Sequence, residues 1–255
     1  MANEKIKLGH GSGGLLTNKL IKEVVLKYFK NKIIKRLEDS AELNVKKNKI
    51  AFTTDSYVID PIFFPGGDIG KLAICGTVND LAMKGAIPEF ISFSLIIEEG
   101  FSFKDLEKIL KSAAKSAKEA GVSVVCGDTK VVEKGKADKI FITTSGVGII
   151  KTNLGKEKIK IGDKVLVSGT IGDHGIAVMN ERLNLGLKSN IISDVAPLNL
   201  LTNRLFKNTR AIHFMRDPTR GGLVSVLNET IDGTKFGIMI NENSLPIKRE
   251  VFAAC

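Results

Sequence analysis

The sequence predicts an α/β protein built as two domains. Three observations carry this. From residue 49 to residue 150, β-branched and aromatic runs of strand length alternate with amphipathic helical runs. A polar, Lys- and Gly-rich stretch, KTNLGKEKIKIGD, interrupts the alternation at residues 151–163. Strand-like and helix-like runs then resume. The expected domains are residues 1–150 and 151–255.

Each element has its own signal. Leu16, Leu20, Val24 and Tyr28 recur at helical spacing with Lys19, Lys22, Lys27 and Lys30 between them, a helix with a lysine-rich outer side. KIAFTTDSYVI (49–59) reads as a strand. In DIGKLAICGTVNDLAMKG (68–85), Ile69, Ala73, Ile74, Val78, Leu81 and Ala82 share one side of a helix that stops at Gly85. PEFISFSLIIE (88–98) is a strand. SFKDLEKILKSAAKSAKEAG (102–121) is a helix capped by Ser102 and stopped by Gly121, with Phe103, Leu106, Leu110, Ala113 and Ala117 as its expected core face. VSVVCGDTKVV (122–132) and KIFITTSGVGII (139–150) complete the first set of strands. In the second half, KVLVSG (164–169) and FGIMINE (236–242) read as strands. Helices are expected over 175–183, 196–206, up to residue 231 after the turn RDPTRGG, and from Pro246. No short internal repeat is present.

The chain has 255 residues, 43% of them apolar, enough to bury a core. No apolar run approaches the roughly 18 residues of a membrane span. The opening MANEKIKLGHGSGG lacks an apolar leader segment. Cys75, Cys126 and Cys255 are far apart with no CxxC, which argues against a disulfide framework or a zinc site and for a reducing cytoplasm. The net charge of +10 raises nucleic acid as a partner. Two tyrosines and no tryptophan offer few stacking platforms, so the lysines read as solvated surface that attracts anionic ligands. Neither nucleic acid nor membrane is expected.

The chemistry concentrates in DSYVIDPIFFPGGDIGKLAICGTVNDLAMKGA (55–86), where carboxylates sit among apolar residues. Asp55 follows a strand-like run, Asp80 lies within the next helix, Asp128 ends the strand VSVVCGD, and Asp39 lies just before the sheet begins. Any one of them alone would read as a turn or cap residue. Together they suggest hard oxygen ligands for Mg²⁺ on a nucleotide. The loop GHGSGG, with Gly11, Ser12, Gly13 and Gly14, precedes a helix and could cradle phosphate through its amides. It lacks the GK[ST] of a Walker loop, and a plain N-terminal leader reads equally well. Lys130 is two residues past Asp128, so an extended chain puts both on one face, where an ammonium could neutralise phosphate charge.

TTDSYVIDPIFFPGGDIGKLAICGTVNDLAMKGA, GDTKVVEKGKADKIFI, GDHGIAV and MRDPTRGGL closely resemble the hydrogenase maturation carbamoyl dehydratases of the HypE family. That family sits within the ATP-binding superfamily of aminoimidazole ribonucleotide synthetase. The resemblance implies an aminoimidazole ribonucleotide synthetase-like fold of two α/β domains, with the N-terminal domain's sheet forming a homodimer. It implies ATP and Mg²⁺ in a cleft, with Asp39, Asp55, Asp80 and Asp128 on the metal. Gly11 to Gly14, Asn79, Thr129, Lys130, Asp217 and Arg220 are expected to hold the nucleotide. Lys130, Asp80 and His174 are the expected catalytic residues, and Asp173 contributes to the second domain's share of the cleft. The implied reaction is ATP-dependent dehydration of a cysteine-bound thiocarbamate to a thiocyanate. A carbamoyltransferase partner supplies the carbamoyl group, and an iron-scaffold complex carries the cyanide to the iron of [NiFe]-hydrogenase. Two other readings stay open: a superfamily kinase or synthetase acting on a small molecule, and a non-catalytic ATP-binding dimer. The family's chains run further and end in a Pro-Arg-Ile-Cys tail, whereas this sequence ends LPIKREVFAAC. The expectation is that Cys255 occupies an interior helix position rather than the carrier position, so that this chain binds ATP but does not complete cyanide formation alone.

Overall fold

The computed structural model describes residues 14–26, 35, 37, 41–45, 48–187, 190–219 and 221–254. Helix α1 (Gly14–Leu20) continues as a π-helical turn over Ile21–Val25. The first half is then a sheet of β1 (Ala41–Val45), β2 (Asn48–Tyr57), β5 (Ala86–Glu98), β6 (Ser123–Cys126), β7 (Thr129–Val132) and β8 (Ile140–Ile150), with a small hairpin of β3 (Phe63–Phe64) and β4 (Gly67–Asp68). The order across the sheet is β1-β2-β8-β5-β6, and β7 also pairs with β5. All neighbours are antiparallel except that β6 and β7 run parallel to β5. β1 is an element that the sequence reading did not anticipate.

Residues 122–132, expected as one strand, form two. Both lie along β5 and break at Gly127–Asp128. A side chain at Gly127 would meet the carbonyl of Phe93 at 2.1 Å, so only glycine allows this close approach.

Helix α2 (Ile69–Met83) and helix α3 (Phe103–Ala120) cover one face of the sheet. Every residue assigned to the core side of α2 is fully buried: Ile69, Ala73, Ile74, Val78, Leu81 and Ala82. The Asp68 carboxylate caps α2 by accepting from Gly70 N (2.8 Å) and Lys71 N (3.0 Å). The face of α3 agrees with expectation at Leu106, Ala113 and Ala117 and departs from it at Phe103 and Leu110. Its buried residues are Ile109, Ala113, Ser116, Ala117 and Ala120, while Phe103 and Leu110 are 84% and 40% exposed. Ile109 and the small residues form a continuous i, i+4, i+7, i+8, i+11 stripe, and small side chains let α3 lie close to α2. Ile109 also closes the main core cluster with Ile69, Ile140 and Ile142.

The second half supplies α4 (Asp173–Leu183), α5 (Asn199–Asn208), α6 (Gly222–Ile231) and α7 (Arg249–Ala254). The last helix begins three residues later than Pro246. Residues 164–169 and 236–242, expected as strands, contain no strand. A strand needs a ladder partner for its amides and carbonyls, and none lies alongside among the described residues. Leu166 and Met239 are accordingly 91% and 98% exposed.

The two halves are joined by specific bonds. Gly85 O accepts from both Lys151 N (2.9 Å) and Thr152 N (3.1 Å). The segment 191–198 lies over the β3–β4 hairpin and α2: Ser193 N donates to Pro65 O at 2.8 Å, and Asn79 bridges Ala196 O (3.1 Å) and Leu198 N (2.7 Å). Asn199 Nδ2 donates to Ala120 O at 2.7 Å.

The α3 orientation predicts unequal neighbours. Ile109→Ala should cost about 3 kcal/mol of unfolding free energy, and Leu110→Ala under about 1, by urea denaturation. Equal losses would contradict the observed face.

Candidate functional site

The site is built where the inner face of β2 meets α2. Alternation along β2 points Thr53, Asp55 and Tyr57 the same way, toward the helices. Helical spacing turns Gly76, Thr77 and Asp80 back toward them. Thr53 Oγ1 donates to Asp80 Oδ2 at 2.7 Å. Tyr57 OH donates to Asp55 Oδ2 at 3.2 Å and lies 3.3 Å from Thr77 Oγ1. Thr77 and Thr144, both fully buried, share a short hydroxyl–hydroxyl bond that ties the chain to β8. Burial, and next the Asp55 charge, push the Tyr57 hydroxyl well above its ordinary pKa, with Asp80 adding to the effect. Tyr57 therefore stays protonated and acts as a donor. Both carboxylates act on one hydroxyl, which places them in one neighbourhood.

Gly76 makes this arrangement possible. A side chain there would meet Tyr57 OH at 2.3 Å. The other aspartates of the 55–86 stretch are structural. Asp68 is the helix cap. Asp60 pairs with Lys139 at 2.6 Å, and that hydrogen bond holds the Asp60 carboxyl below its ordinary pKa.

Asp128 and Lys130 are exposed and face each other at 3.4 Å, as the two-residue spacing predicts. Thr129 N donates to Asp128 Oδ1 at 2.9 Å. No group of three or more His, Cys, Asp or Glu able to hold a metal ion assembles among the described residues. Asp128 thus does not join Asp55 and Asp80 in one cluster, and Asp39 lies outside the described residues. The two carboxylates on β2 and α2 still suit Mg²⁺, which typically takes one or two carboxylates and fills its remaining positions with water and phosphate.

Gly11, Ser12, Gly13, Arg220 and Cys255 also lie outside the described residues. Gly14 opens α1 with φ +72°, and its amide nitrogen would be 3.8 Å from a side chain on Gly221, the residue that precedes α6. The end of the glycine-rich loop therefore abuts the turn RDPTRGG. Asn18 Nδ2 to Glu229 Oε1 (3.4 Å), Lys22 to Asp232 (2.9 Å) and Arg216 to Glu229 (2.8 Å) hold this junction together. Asp217 is half-buried beside it.

Asn79, an expected nucleotide contact, also fastens the two halves. Its amide oxygen and nitrogen both serve the 196–198 backbone. His174 lies in the seam between the halves. Its Nδ1 is 2.8 Å from Ser193 Oγ, and its ring meets Phe64 edge-on at 5.3 Å. Burial lowers its pKa, partly opposed by Asp194. Asp173 is buried, accepts from Thr170 Oγ1 and pairs with Lys248 at 3.0 Å. Thr53, Tyr57, Thr77 and Ser193 were not singled out from sequence. The i, i+2, i+4 alternation in TTDSY was the available signal for the first two.

Residues 37–150 match the family model "AIR synthase related protein, N-terminal domain", and residues 160–253 match "AIR synthase related protein, C-terminal domain". The carbamoyl dehydratase HypE of Bradyrhizobium diazoefficiens is 47% identical over 99% of this chain and 74% of its own length. A crystal structure of a HypE–HypF complex is similar with a TM-score of 0.87 at 53% identity, over 92% of this chain and 77% of that one. HypE solved in complex with ATP is similar with a TM-score of 0.80 at 42% identity, over 98% and 75%.

Two predictions follow from the geometry. Gly76→Ala would ordinarily gain about 1 kcal/mol in a helix interior. Here the clash with Tyr57 should dominate, for a net loss of about 1–3 kcal/mol, and Tyr57→Phe in the same chain should recover part of it in a double-mutant cycle. For His174, a folded-state pKa below the ordinary 6.5 means the unfolded chain takes up the proton first on acidification. Its contribution is complete above pH 6.5 and declines as the pH falls below that value toward the lowered folded-state pKa. His174→Gln should flatten the stability–pH curve between about pH 7 and pH 5, and an unchanged curve would contradict the buried, neutral imidazole.

Proposed function

This chain belongs to the carbamoyl dehydratase HypE family of enzymes, and we propose that it binds ATP with Mg²⁺ and dehydrates a cysteine-bound thiocarbamate to a thiocyanate. The atom balance is R–S–C(=O)NH₂ + ATP → R–S–C≡N + ADP + phosphate. The single observation that carries the reading is the Asp55–Asp80 neighbourhood, set in a chain belonging to a family of which one member has been solved with ATP bound.

An amide oxygen leaves poorly, and transfer of a phosphoryl group to it turns it into a good leaving group. Asp55 and Asp80 would hold Mg²⁺, which would supply charge neutralisation at the phosphates. Lys130, exposed at the sheet edge beside Asp128, neutralises charge on the transferred group. The glycine-rich loop at Gly14 and the Gly221–Gly222 turn hold phosphate oxygens through backbone amides. Loss of the oxygen also requires removal of the nitrogen's protons. Burial keeps His174 neutral, the state a proton acceptor needs, and since Nδ1 faces Ser193, the role falls to Nε2.

Residues 1–150 serve as the nucleotide and dimer domain, and residues 151–255 close the cleft. A homodimer would cover the face of the sheet that α2 and α3 leave open, where Phe52, Phe90 and Ile96 are 41%, 47% and 41% exposed. A carbamoyltransferase is the donor partner, in keeping with the relative solved together with HypF. The cyanide group passes through an iron-scaffold complex to the hydrogenase iron. The free thiols Cys75 and Cys126 agree with work in the reducing cytoplasm. No helix among the described residues is long and apolar enough to cross a membrane.

Asp80→Asn should lower Mg-dependent ATP turnover roughly 100-fold, the order lost when a partner to developing charge is removed, with circular dichroism and melting unchanged. Full Mg-dependent activity in the folded variant would exclude Asp80 from the site.

A further inference from the structure

We propose that Thr53 and Tyr57 are positioning residues that pre-orient Asp80 and Asp55 as a pair of divalent-cation ligands. This rests on the Mg²⁺ reading above. One of the two carboxylate bonds crosses the seam between two rigid elements, and the other lies within β2 and is tied across that seam through Thr77. Thr53, on β2, donates to Asp80, on α2, at 2.7 Å. Tyr57, on β2, donates to Asp55 two residues earlier at 3.2 Å and reaches Thr77 on α2 at 3.3 Å. Thr77 in turn bonds Thr144 on β8. Each carboxylate is thus fixed by a hydroxyl whose own backbone lies in the sheet.

The burial supports a positioning role. Thr53 is 6% exposed, and Thr77 and Thr144 are 0% exposed, so none of the three has solvent in which to reorient. Gly76 leaves the space that the Tyr57 hydroxyl fills. A carboxylate held at one oxygen by a hydroxyl loses rotamer freedom before the cation arrives, and loss of such an outer partner commonly weakens metal affinity 10–100-fold. Hydroxyl donors suit this task, because they orient the carboxylates without adding the positive charge that would compete with a cation. A lysine or arginine in the place of Thr53 would do the opposite.

The test uses Mn²⁺ as a paramagnetic probe, titrated by electron paramagnetic resonance against the protein with a non-hydrolysable ATP analogue present. Metal-free binding of the analogue serves as the control. Thr53→Val keeps the shape and the β-preference while removing the donor. It should weaken Mn²⁺ about 10–100-fold, with metal-free analogue binding unchanged, and Thr53→Ser should restore affinity. Tyr57→Phe, which retains the ring, should weaken Mn²⁺ as well. Wild-type Mn²⁺ affinity in folded Thr53→Val and Tyr57→Phe overturns the positioning roles while leaving the metal reading intact. A Thr53→Ser chain that folds and yet stays as weak as Thr53→Val also overturns them. Absence of Mn²⁺ binding by the wild-type chain overturns both readings together.

Discussion

The structure depends on one contact, the inward face of β2 laid against α2. Two constraints meet there. The helix must pack closely enough for Leu81 to exclude water against Ala51, and for Ile69 and Ala73 to do so beside Tyr57. The same seam must also hold Asp55 and Asp80, whose charges are costly to bury without partners. Both are satisfied because β2 alternates and α2 turns. Apolar positions and hydroxyl or carboxyl positions occupy separate stretches of the same interface. The hydroxyls of Thr53, Tyr57, Thr77 and Thr144 fill the polar stretch with hydrogen bonds to the two carboxylates and, from Tyr57 through Thr77 to Thr144, to one another. Without Gly76 the two elements could not approach at that level.

The second half matters to the site through what it fastens. The 191–198 segment clamps the hairpin and α2 by Ser193, Asn79 and His174, so α2 is held from the sheet side and from the opposite domain. At the other end, α1 is held against α6 by Asn18, Lys22 and Glu229, which puts Gly14 beside Gly221. The exposed ion pair of this junction, Lys22–Asp232, is worth little by itself. Its value is geometric, since it brings together two backbone turns that lie more than 200 residues apart in sequence.

Much of this was legible in the sequence because it follows from local rules. The core side of α2 emerged from its helical period, and the caps at Ser102 and Gly121 from residue type. The Asp128–Lys130 pairing followed from strand alternation. Other features were hidden because tertiary partners decide them. Phe103 and Leu110 look like core residues by hydrophobicity, but the close approach of α3 to α2 selects Ile109 and the small residues instead. KVLVSG and FGIMINE have strand composition, yet composition cannot supply the ladder partner that a strand requires. The resemblance marks Asn79 as a nucleotide contact, and only the tertiary structure reveals that its amide also fastens the 196–198 backbone. The resemblance on TTDSYVID and RDPTRGG reached the family directly, while the bonds that Thr53 and Tyr57 of that first motif make to the carboxylates depend on how β2 and α2 pack.

The most direct test of the central claim is a crystal of this chain grown with Mn²⁺ and a non-hydrolysable ATP analogue, with the metal located by its anomalous scattering. The account predicts a peak within bonding distance of both Asp55 and Asp80, with phosphate oxygens completing its coordination at about 2.0–2.2 Å. A well-ordered nucleotide whose cation is held entirely by other residues, with neither Asp55 nor Asp80 within bonding distance of it, would contradict it.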